Sequence, residues 1–174
     1  MHTKELTRIA LFAALTAVLS QIIIPLPLSP IPLSLATFGV MLCGGLLPPR
    51  QAFWSMAAFL LLGGVGLPVF AGFMGGPGRL FGPTGGYLLA YPFGALAAAL
   101  LLRRFGRSPK VTAAALAACS AVCCVLGSLW LSFSAGGIKQ AFLLGTVPFL
   151  PSEAIKILLA CILLNRLRHP LNKQ

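Results

Sequence analysis

Long apolar segments separated by short connections are the feature that most restricts how this chain folds. A helix needs about 20 apolar residues to cross the hydrocarbon core of a bilayer. Hydropathy predicts six helices, at 6–24, 33–47, 50–63, 84–103, 110–131 and 149–167. A mean hydropathy of +0.96 and a charged fraction of 9% lie outside the range of soluble domains. The sequence therefore predicts an all-α integral membrane protein with six transmembrane helices, in which residues 1–174 form a single domain.

The distribution of basic residues predicts how these helices are oriented. If the N-terminus is cytoplasmic, ten of the 13 Lys and Arg residues lie inside and two outside, while Lys156 lies within the last span. The ten are Lys4, Arg8, Arg50, Arg103, Arg104, Arg107, Lys110, Arg166, Arg168 and Lys173, and the two are Arg79 and Lys139. Because cytoplasmic loops are enriched in Lys and Arg, we expect both termini in the cytoplasm. We interpret the first apolar segment as a retained helix, not a signal peptide.

Two connections between the predicted helices differ from ordinary short loops. The first, PLPLSPIPLS at 25–34, contains four prolines, which exclude helix and favour an extended segment. The second spans 63–86 and holds ten of the 19 glycines. Non-helical backbone at membrane depth is tolerated where protein buries it or where it lines a water-filled cavity. Both connections fall on the predicted outer side, so we expect them to cover a cavity. The alternative is that they are merely irregular tight connections.

Several functional classes lack the residues that they need. The sequence has no GxxxxGK[ST] motif and no Asp, and its two histidines, His2 and His169, lie at the ends. These absences argue against a P-loop ATPase, a Ser-His-Asp enzyme and a carboxylate metal centre, so we expect neither enzyme activity nor a metal. The five cysteines lie in apolar segments without paired CxxC spacing. The net charge of +11 comes from residues that flank apolar spans, which indicates membrane topology and not nucleic-acid binding.

Glu153 and Lys156 form a charged pair within the last predicted span. Lys156 lies ten residues before Arg166, about 15 Å along a helix, which places it near the middle of the bilayer. Glu153 stands three positions earlier and so projects from the same face. An ionisable residue within a membrane indicates a functional site, in which Lys156 would meet an anion and Glu153 would accept N–H donors. The alternative is a Glu–Lys pair that serves only helix packing.

Four motifs, in order along the chain, resemble the BioY family, the biotin-specific S components of energy-coupling-factor (ECF) transporters. They are PLPLSPIPLSLATFGVMLCGGLL, GLPVFAG, GPTGGYLLAYP and PFLPSEAIK, and the resemblance runs from about residue 6 to 165. It implies six helices and an outward-facing biotin pocket beneath the outer loops. The chain departs from the family pattern at Ser152 and Glu153, where Gly-Asp is usual, and at Ala36, where Gln is common.

The resemblance also implies a set of ligand-binding residues. Biotin has a carboxylate, an apolar valeryl chain and a ureido ring with N–H donors. We expect Lys156 to bind the carboxylate and Glu153 to bind the ureido N–H groups. Tyr87 and Tyr91 stand four apart, so their rings project from one helix face. The further candidates are Arg79, Tyr87, Tyr91, Thr37, Phe38 and Phe70. The alternative for Arg79 is that it faces water.

Ala10 and Ala14 are the candidate partner-binding residues. Small residues four apart allow close helix contact in lipid, and the spacing alone fits internal packing equally well. The resemblance implies that they dock the transmembrane T component, which works with two ATPase subunits. It further implies biotin as a transported ligand with no cofactor, and a location in the lipid of a prokaryotic plasma membrane. The alternatives are an S component for another vitamin, a structural membrane protein, and a secondary transporter, for which no clear inverted repeat is present.

Overall fold

The computed structural model describes residues 3–24 and 33–168, which form eight α-helices and one two-stranded sheet. The helices are α1 (Thr3–Ser20), α2 (Ala36–Leu46), α3 (Pro49–Gly64), α4 (Pro77–Leu80), α5 (Gly85–Phe105), α6 (Pro109–Leu131), α7 (Ile138–Gly145) and α8 (Leu150–Arg168). Strands β1 (Ile23–Ile24) and β2 (Leu33–Ser34) lie between α1 and α2 and pair antiparallel. A single 3-10 turn, Val147–Phe149, precedes α8.

Each of the six predicted helices has a counterpart in the structure, in the same order. The all-α prediction needs one correction, which is the small sheet. It replaces the predicted end of the first helix and start of the second, because the β-branched run Ile22–Ile24 favours an extended strand. Helices α4 and α7 lie in connections that were predicted as loops. The four prolines of the first connection lie outside the described residues.

Three helical segments of the described residues are long and apolar enough to cross a membrane, judged by length and composition. They are Gly85–Phe105, Pro109–Leu131 and Ile138–Leu167, the last of which includes α7, the 3-10 turn and α8. Helix α2 is apolar but has 11 residues. The structure therefore supports a multi-pass helical membrane protein, whereas six crossings stay a prediction.

Small residues let the central helices approach one another closely. Gly44 of α2 lies against α5, where an added Cβ would come within 2.7 Å of the Ala95 carbonyl oxygen. Gly94 of α5 lies against α6, where a Cβ would come within 2.8 Å of the Cys123 sulfur. Any larger residue at either position would force two helices apart. This tight packing fixes α2, α5 and α6 relative to one another.

The connection between α3 and α5, residues 65–84, is an ordered structure that we call the glycine-rich loop. Within it residues 68–74 form a hairpin, in which Phe70 N donates to the Met74 carbonyl at 2.9 Å and Met74 N donates back at 3.3 Å. The Gly76 N–H donates to the Gly63 carbonyl at 2.7 Å, which ties the loop to the end of α3. The loop is thus held by specific backbone hydrogen bonds.

Candidate ligand-binding site

Glu153 and Lys156 lie one turn apart on α8 and point into the protein. Their exposed fractions are 6% and 4%, and Lys156 Nζ lies 2.9 Å from Glu153 Oε1. The opposite face of α8 is apolar, since Ile155 and Leu158 are both 61% exposed. Helix periodicity therefore separates a lipid-compatible face from the charged pair.

The polar atoms of the pair all have protein partners. Lys156 Nζ also donates to the Ser34 carbonyl at 2.9 Å and to Thr37 Oγ1 at 2.8 Å. Thr37 in turn donates to Glu153 Oε1 at 2.9 Å, and the Ser120 hydroxyl donates to Glu153 Oε2 at 2.8 Å. An ammonium group has three protons, and here each has an acceptor. Both charges are therefore satisfied without a ligand.

The partners of the pair come from separate parts of the chain. Ser34 belongs to β2, Thr37 to the first turn of α2 and Ser120 to the middle of α6. The Ser34 hydroxyl accepts the Ala36 N–H at 3.1 Å, which fixes the turn that leads into α2. Removing one partner from a buried ion pair leaves an uncompensated charge and costs about 3–5 kcal/mol. The pair thus holds β2, α2, α6 and α8 together.

A cavity opens beside this pair and contains about 890 Å³ of space that no atom occupies, part of it open to the exterior. We call its charged end, formed by Ser34, Thr37, Ser120, Glu153 and Lys156, the polar floor. Its walls are mainly apolar or aromatic: Phe70, Ala71, Leu88, Tyr91, Cys123, Cys124 and Phe149. Arg79, Thr84, Tyr87 and Gly145 complete the lining. An apolar pocket with a few well-placed polar groups is typical of a site for a small molecule.

Seven of the eight predicted pocket residues line this cavity: Lys156, Glu153, Arg79, Tyr87, Tyr91, Thr37 and Phe70. Phe38 is not part of the lining, and its half-buried side chain packs against the hydrophobic core. Thr37 and Phe38 are consecutive residues of α2 and point about 100° apart, and here Thr37 lines the cavity while Phe38 packs on the core. Contact of the seven with a ligand stays a prediction.

Aromatic side chains form one wall of the cavity. The Phe59 ring lies 5.5 Å from the Phe70 ring in an edge-to-face arrangement and 6.2 Å from the Tyr91 ring. Tyr87 donates its hydroxyl proton to the Gly145 carbonyl at 2.7 Å. The rings are therefore fixed in position before any ligand arrives.

Arg79 brings a positive charge to the loop side of the cavity. Its Nε lies 2.7 Å from the Met74 sulfur, and no described carboxylate lies within salt-bridge distance of its guanidinium. The two acidic residues of the chain are elsewhere, since Glu153 is bound to Lys156 and Glu5 lies in the first turn of α1. Among the described residues, the Arg79 guanidinium therefore lines the cavity without a carboxylate as its salt-bridge partner.

Nine residues that line the cavity were not predicted: Ser34, Ala71, Thr84, Leu88, Ser120, Cys123, Cys124, Gly145 and Phe149. Ser120 is a buried polar side chain in an apolar helix, and buried polar groups need hydrogen-bond partners, so its position was a usable signal. Cys123, Cys124 and Phe149 gave no such signal. In an apolar span, Cys and Phe look alike in sequence whether they face lipid or a cavity.

The two candidate docking alanines lie together on the surface of α1. Ala10 and Ala14 are both exposed. Ala13 and Ala17 repeat the same spacing, yet Ala13 is 2% exposed and Ala17 is half-buried, so they belong to the internal packing of α1. The structure therefore leaves one small-residue stripe of α1 uncovered and covers the other.

Comparisons with known proteins agree over almost the whole chain. The model of the BioY family matches residues 1–173. A probable biotin transporter BioY of Pyrococcus horikoshii is 39% identical over 97% of this chain and 98% of its own length. A biotin transporter BioY of Thermotoga maritima is 35% identical over 95% and 96%. The crystal structure of an S-component for biotin from an ECF-type ABC transporter superposes with a TM-score of 0.87 at 30% identity, covering 97% of this chain and 94% of that one.

Proposed function

The chain belongs to the BioY family, and we propose that it binds biotin as the S component of an ECF transporter. The observation that carries the proposal is the buried Lys156–Glu153 pair at the end of an apolar cavity, in a fold like that of a biotin S component. BioY proteins are transporter subunits and not enzymes. Biotin is accordingly a transported ligand, and the residues of the cavity act by binding and releasing it.

The geometry of the pair favours a different orientation of biotin from the one expected. Lys156 was expected to bind the carboxylate and Glu153 the ureido N–H groups, yet these side chains are 2.9 Å apart. In biotin the carboxylate and the ureido group are separated by the valeryl chain and the thiolane ring. A ureido group alone presents a carbonyl acceptor beside N–H donors, which matches an ammonium beside a carboxylate. We therefore place the ureido ring on the polar floor.

This orientation directs the other end of biotin towards the glycine-rich loop. The valeryl chain then passes the apolar walls at Phe70 and Tyr91, and the carboxylate approaches the Arg79 guanidinium. Arg79 has no described carboxylate partner of its own, so a ligand anion would gain the full charge-assisted hydrogen bond. Each charged group of the cavity then has a chemically matched part of biotin.

Binding exchanges internal hydrogen bonds for ligand contacts. In the empty site Lys156 donates to Ser34 and Thr37 as well as to Glu153. A ureido carbonyl would replace Ser34 or Thr37 as an acceptor for Lys156. A ureido N–H would join Thr37 and Ser120 as donors to Glu153. Such an exchange keeps both charges hydrogen-bonded in the empty and in the filled site. This matters because each hydrogen bond to a charged group contributes about 1.5–3 kcal/mol.

Transport requires a membrane topology and partners that we also propose. We infer six membrane crossings with both termini in the cytoplasm, supported by the ten-to-two distribution of basic residues. The exposed stripe of Ala10 and Ala14 would contact the T component, because small side chains allow close helix approach in lipid. The ATPase subunits would supply the energy in a plasma membrane.

Isothermal titration of the detergent-solubilised protein tests the proposed ligand. Biotin, desthiobiotin and biotin methyl ester are titrated in parallel. We expect biotin and desthiobiotin to bind, since both have the ureido ring and the carboxylate, and the methyl ester to bind more weakly, since it cannot pair with Arg79. A titration with no heat of binding for biotin and no thermal stabilisation by it would contradict the proposed function.

One observation favours a second candidate role, in which the pair only holds helices together. Lys156 and Glu153 are fully satisfied without a ligand. The double variant Lys156→Met with Glu153→Leu separates the two roles, because apolar replacement of a whole buried pair is often neutral for stability. A folded double variant that still binds biotin with wild-type affinity would support the structural role. We expect it to fold and to lose biotin binding.

A further inference from the structure

Gln21, the residue that follows α1, holds the hairpin with its side-chain amide. Its Nε2 lies 3.1 Å from the Val69 carbonyl oxygen and 3.4 Å from that of Pro68. Its Oε1 accepts the Phe73 N–H at 2.8 Å. The neighbouring Ser20 hydroxyl also donates to the Val69 carbonyl. One side chain therefore bridges both limbs of the hairpin from the end of α1.

The hairpin carries residues that shape the cavity. Phe70 is 2% exposed, lines the cavity and packs edge-to-face on Phe59. Its ring lies directly over Gly63, where any side chain would collide with it. On the other limb the Met74 sulfur contacts the Arg79 guanidinium. The position of the hairpin thus sets the position of an aromatic wall and of a cation.

Phe73 has an unusual backbone conformation at the point where the hairpin meets the amide of Gln21. Its φ of 55° lies in the left-handed region, which is uncommon for a residue other than glycine. Phe73 as a residue is 73% exposed, so little side-chain packing offsets this conformation. The hydrogen bond from its N–H to Gln21 Oε1 does favour it, since it gives that N–H an acceptor.

We propose that Gln21 is a positioning residue for the ligand site: by tying the hairpin to α1, it holds Phe70 and Arg79 over the bound molecule. The identity of that molecule as biotin rests on the proposed function. A ligand on the polar floor can leave when the hairpin opens, and the bonds of Gln21 oppose opening. Their loss should therefore raise the dissociation rate constant much more than it lowers the association rate constant.

Rate measurements with labelled biotin on the detergent-solubilised, full-length protein test this role. Gln21→Leu keeps the size of the side chain and removes its hydrogen bonds. We expect the dissociation rate constant to rise about tenfold and the association rate constant to change by less than about twofold. Ser20→Ala removes one bond to the same carbonyl, and we expect a rise of about threefold. Chymotrypsin should also cleave biotin-saturated Gln21→Leu within 67–74, where the biotin-saturated wild type is protected.

Thr7→Val is the matched control, because Thr7 lies nearer the start of α1 and donates its hydroxyl to the Thr3 carbonyl, away from the hairpin. It should dissociate biotin as the wild type does. A lower Tm of Gln21→Leu with unchanged dissociation and unchanged protection would overturn the positioning role. If Gln21→Leu does not fold, the dissociation rate constant and the protease protection of Ser20→Ala test the positioning role instead. A wild type that binds no biotin would overturn the proposed function as well, whereas normal binding with wild-type rates in the variants would overturn the assignment of Gln21 alone.

Discussion

The polar floor of the cavity and the hairpin that carries Phe70 are held together in different ways. On the floor, Glu153 and Lys156 are almost fully buried and bound by side chains from α2 and α6. The hairpin is instead held by backbone hydrogen bonds, the Gln21 amide and the Ser20 hydroxyl, and its Phe73 is 73% exposed. The floor is built from charge in an apolar surrounding, and the hairpin is built from neutral groups near solvent.

This difference determines what each region contributes to binding. Removal of either charged side chain from the floor leaves the other charge buried without its counter-ion, so its loss is costly. A bond broken in the hairpin frees groups that water can reach, and its net contribution is about 0.5–1.5 kcal/mol. We therefore expect floor residues to make the larger contribution to affinity, and hairpin residues to make a smaller one that acts through the rate of release. The following predictions test this division, from the largest effect on biotin binding to the smallest.

Replacement of Lys156 by Ala should have the largest effect. It removes the donor proposed for the ureido carbonyl and leaves Glu153 buried with Thr37 and Ser120 as its remaining described partners. We expect biotin affinity to fall by about tenfold to a hundredfold and the Tm to fall as well. Titration calorimetry and thermal unfolding measure the two quantities. If folded Lys156→Ala bound biotin with wild-type affinity, the polar floor would not be part of the binding site.

Changes at Glu153 should show whether charge or length matters more on the floor. Glu153→Asp keeps the carboxylate and restores the residue that the family pattern favours, so we expect it to retain binding. Glu153→Ala removes the carboxylate, and we expect its affinity for biotin to be about tenfold or more below that of the wild type. Glu153→Gln keeps an acceptor but leaves Lys156 without its counter-ion, so we expect its affinity to lie between those of Glu153→Asp and Glu153→Ala. Equal affinities for Glu153→Gln and the wild type, measured by calorimetry, would show that the floor works without charge complementarity.

The floor could be predicted from sequence much better than the hairpin could. Glu153 and Lys156 are conspicuous because a charge within an apolar span needs a specific reason, and helix spacing alone places them on one face. The ties of the hairpin join Gln21 to residues almost 50 positions later, at Pro68 and Val69. No local periodicity connects such positions. Short helices such as α7 were also missed, because eight residues between loops give no membrane-length apolar signal.

The proposed contact between Arg79 and the biotin carboxylate can be tested by changing both groups, the protein side chain and the carboxylate. If its guanidinium pairs with the carboxylate, Arg79→Gln should lower the affinity for biotin by about fivefold, a moderate loss because the residue is only half-buried. The same variant should bind biotin methyl ester as the wild type does, because that ester has no carboxylate to lose. Calorimetry of the wild type and Arg79→Gln, each with biotin and with biotin methyl ester, measures the coupling between the guanidinium and the carboxylate. Equal losses for both ligands would show that Arg79 acts on the loop and not on the carboxylate.

Helix α1 should affect transport without affecting the floor. Ala14 is exposed, whereas Ala13 beside it is buried, so an indole at position 14 projects away from the cavity. We expect Ala14→Trp to change biotin affinity by less than about twofold, as surface substitutions usually do. A large ring there prevents close helix approach, so we also expect loss of co-purification with the T component. Leu158→Trp, at an exposed apolar position of α8, is the matched control and should still assemble. Assembly of Ala14→Trp at the wild-type level would place the docking surface elsewhere, and a large loss of affinity would show that α1 and the cavity are coupled even without a partner.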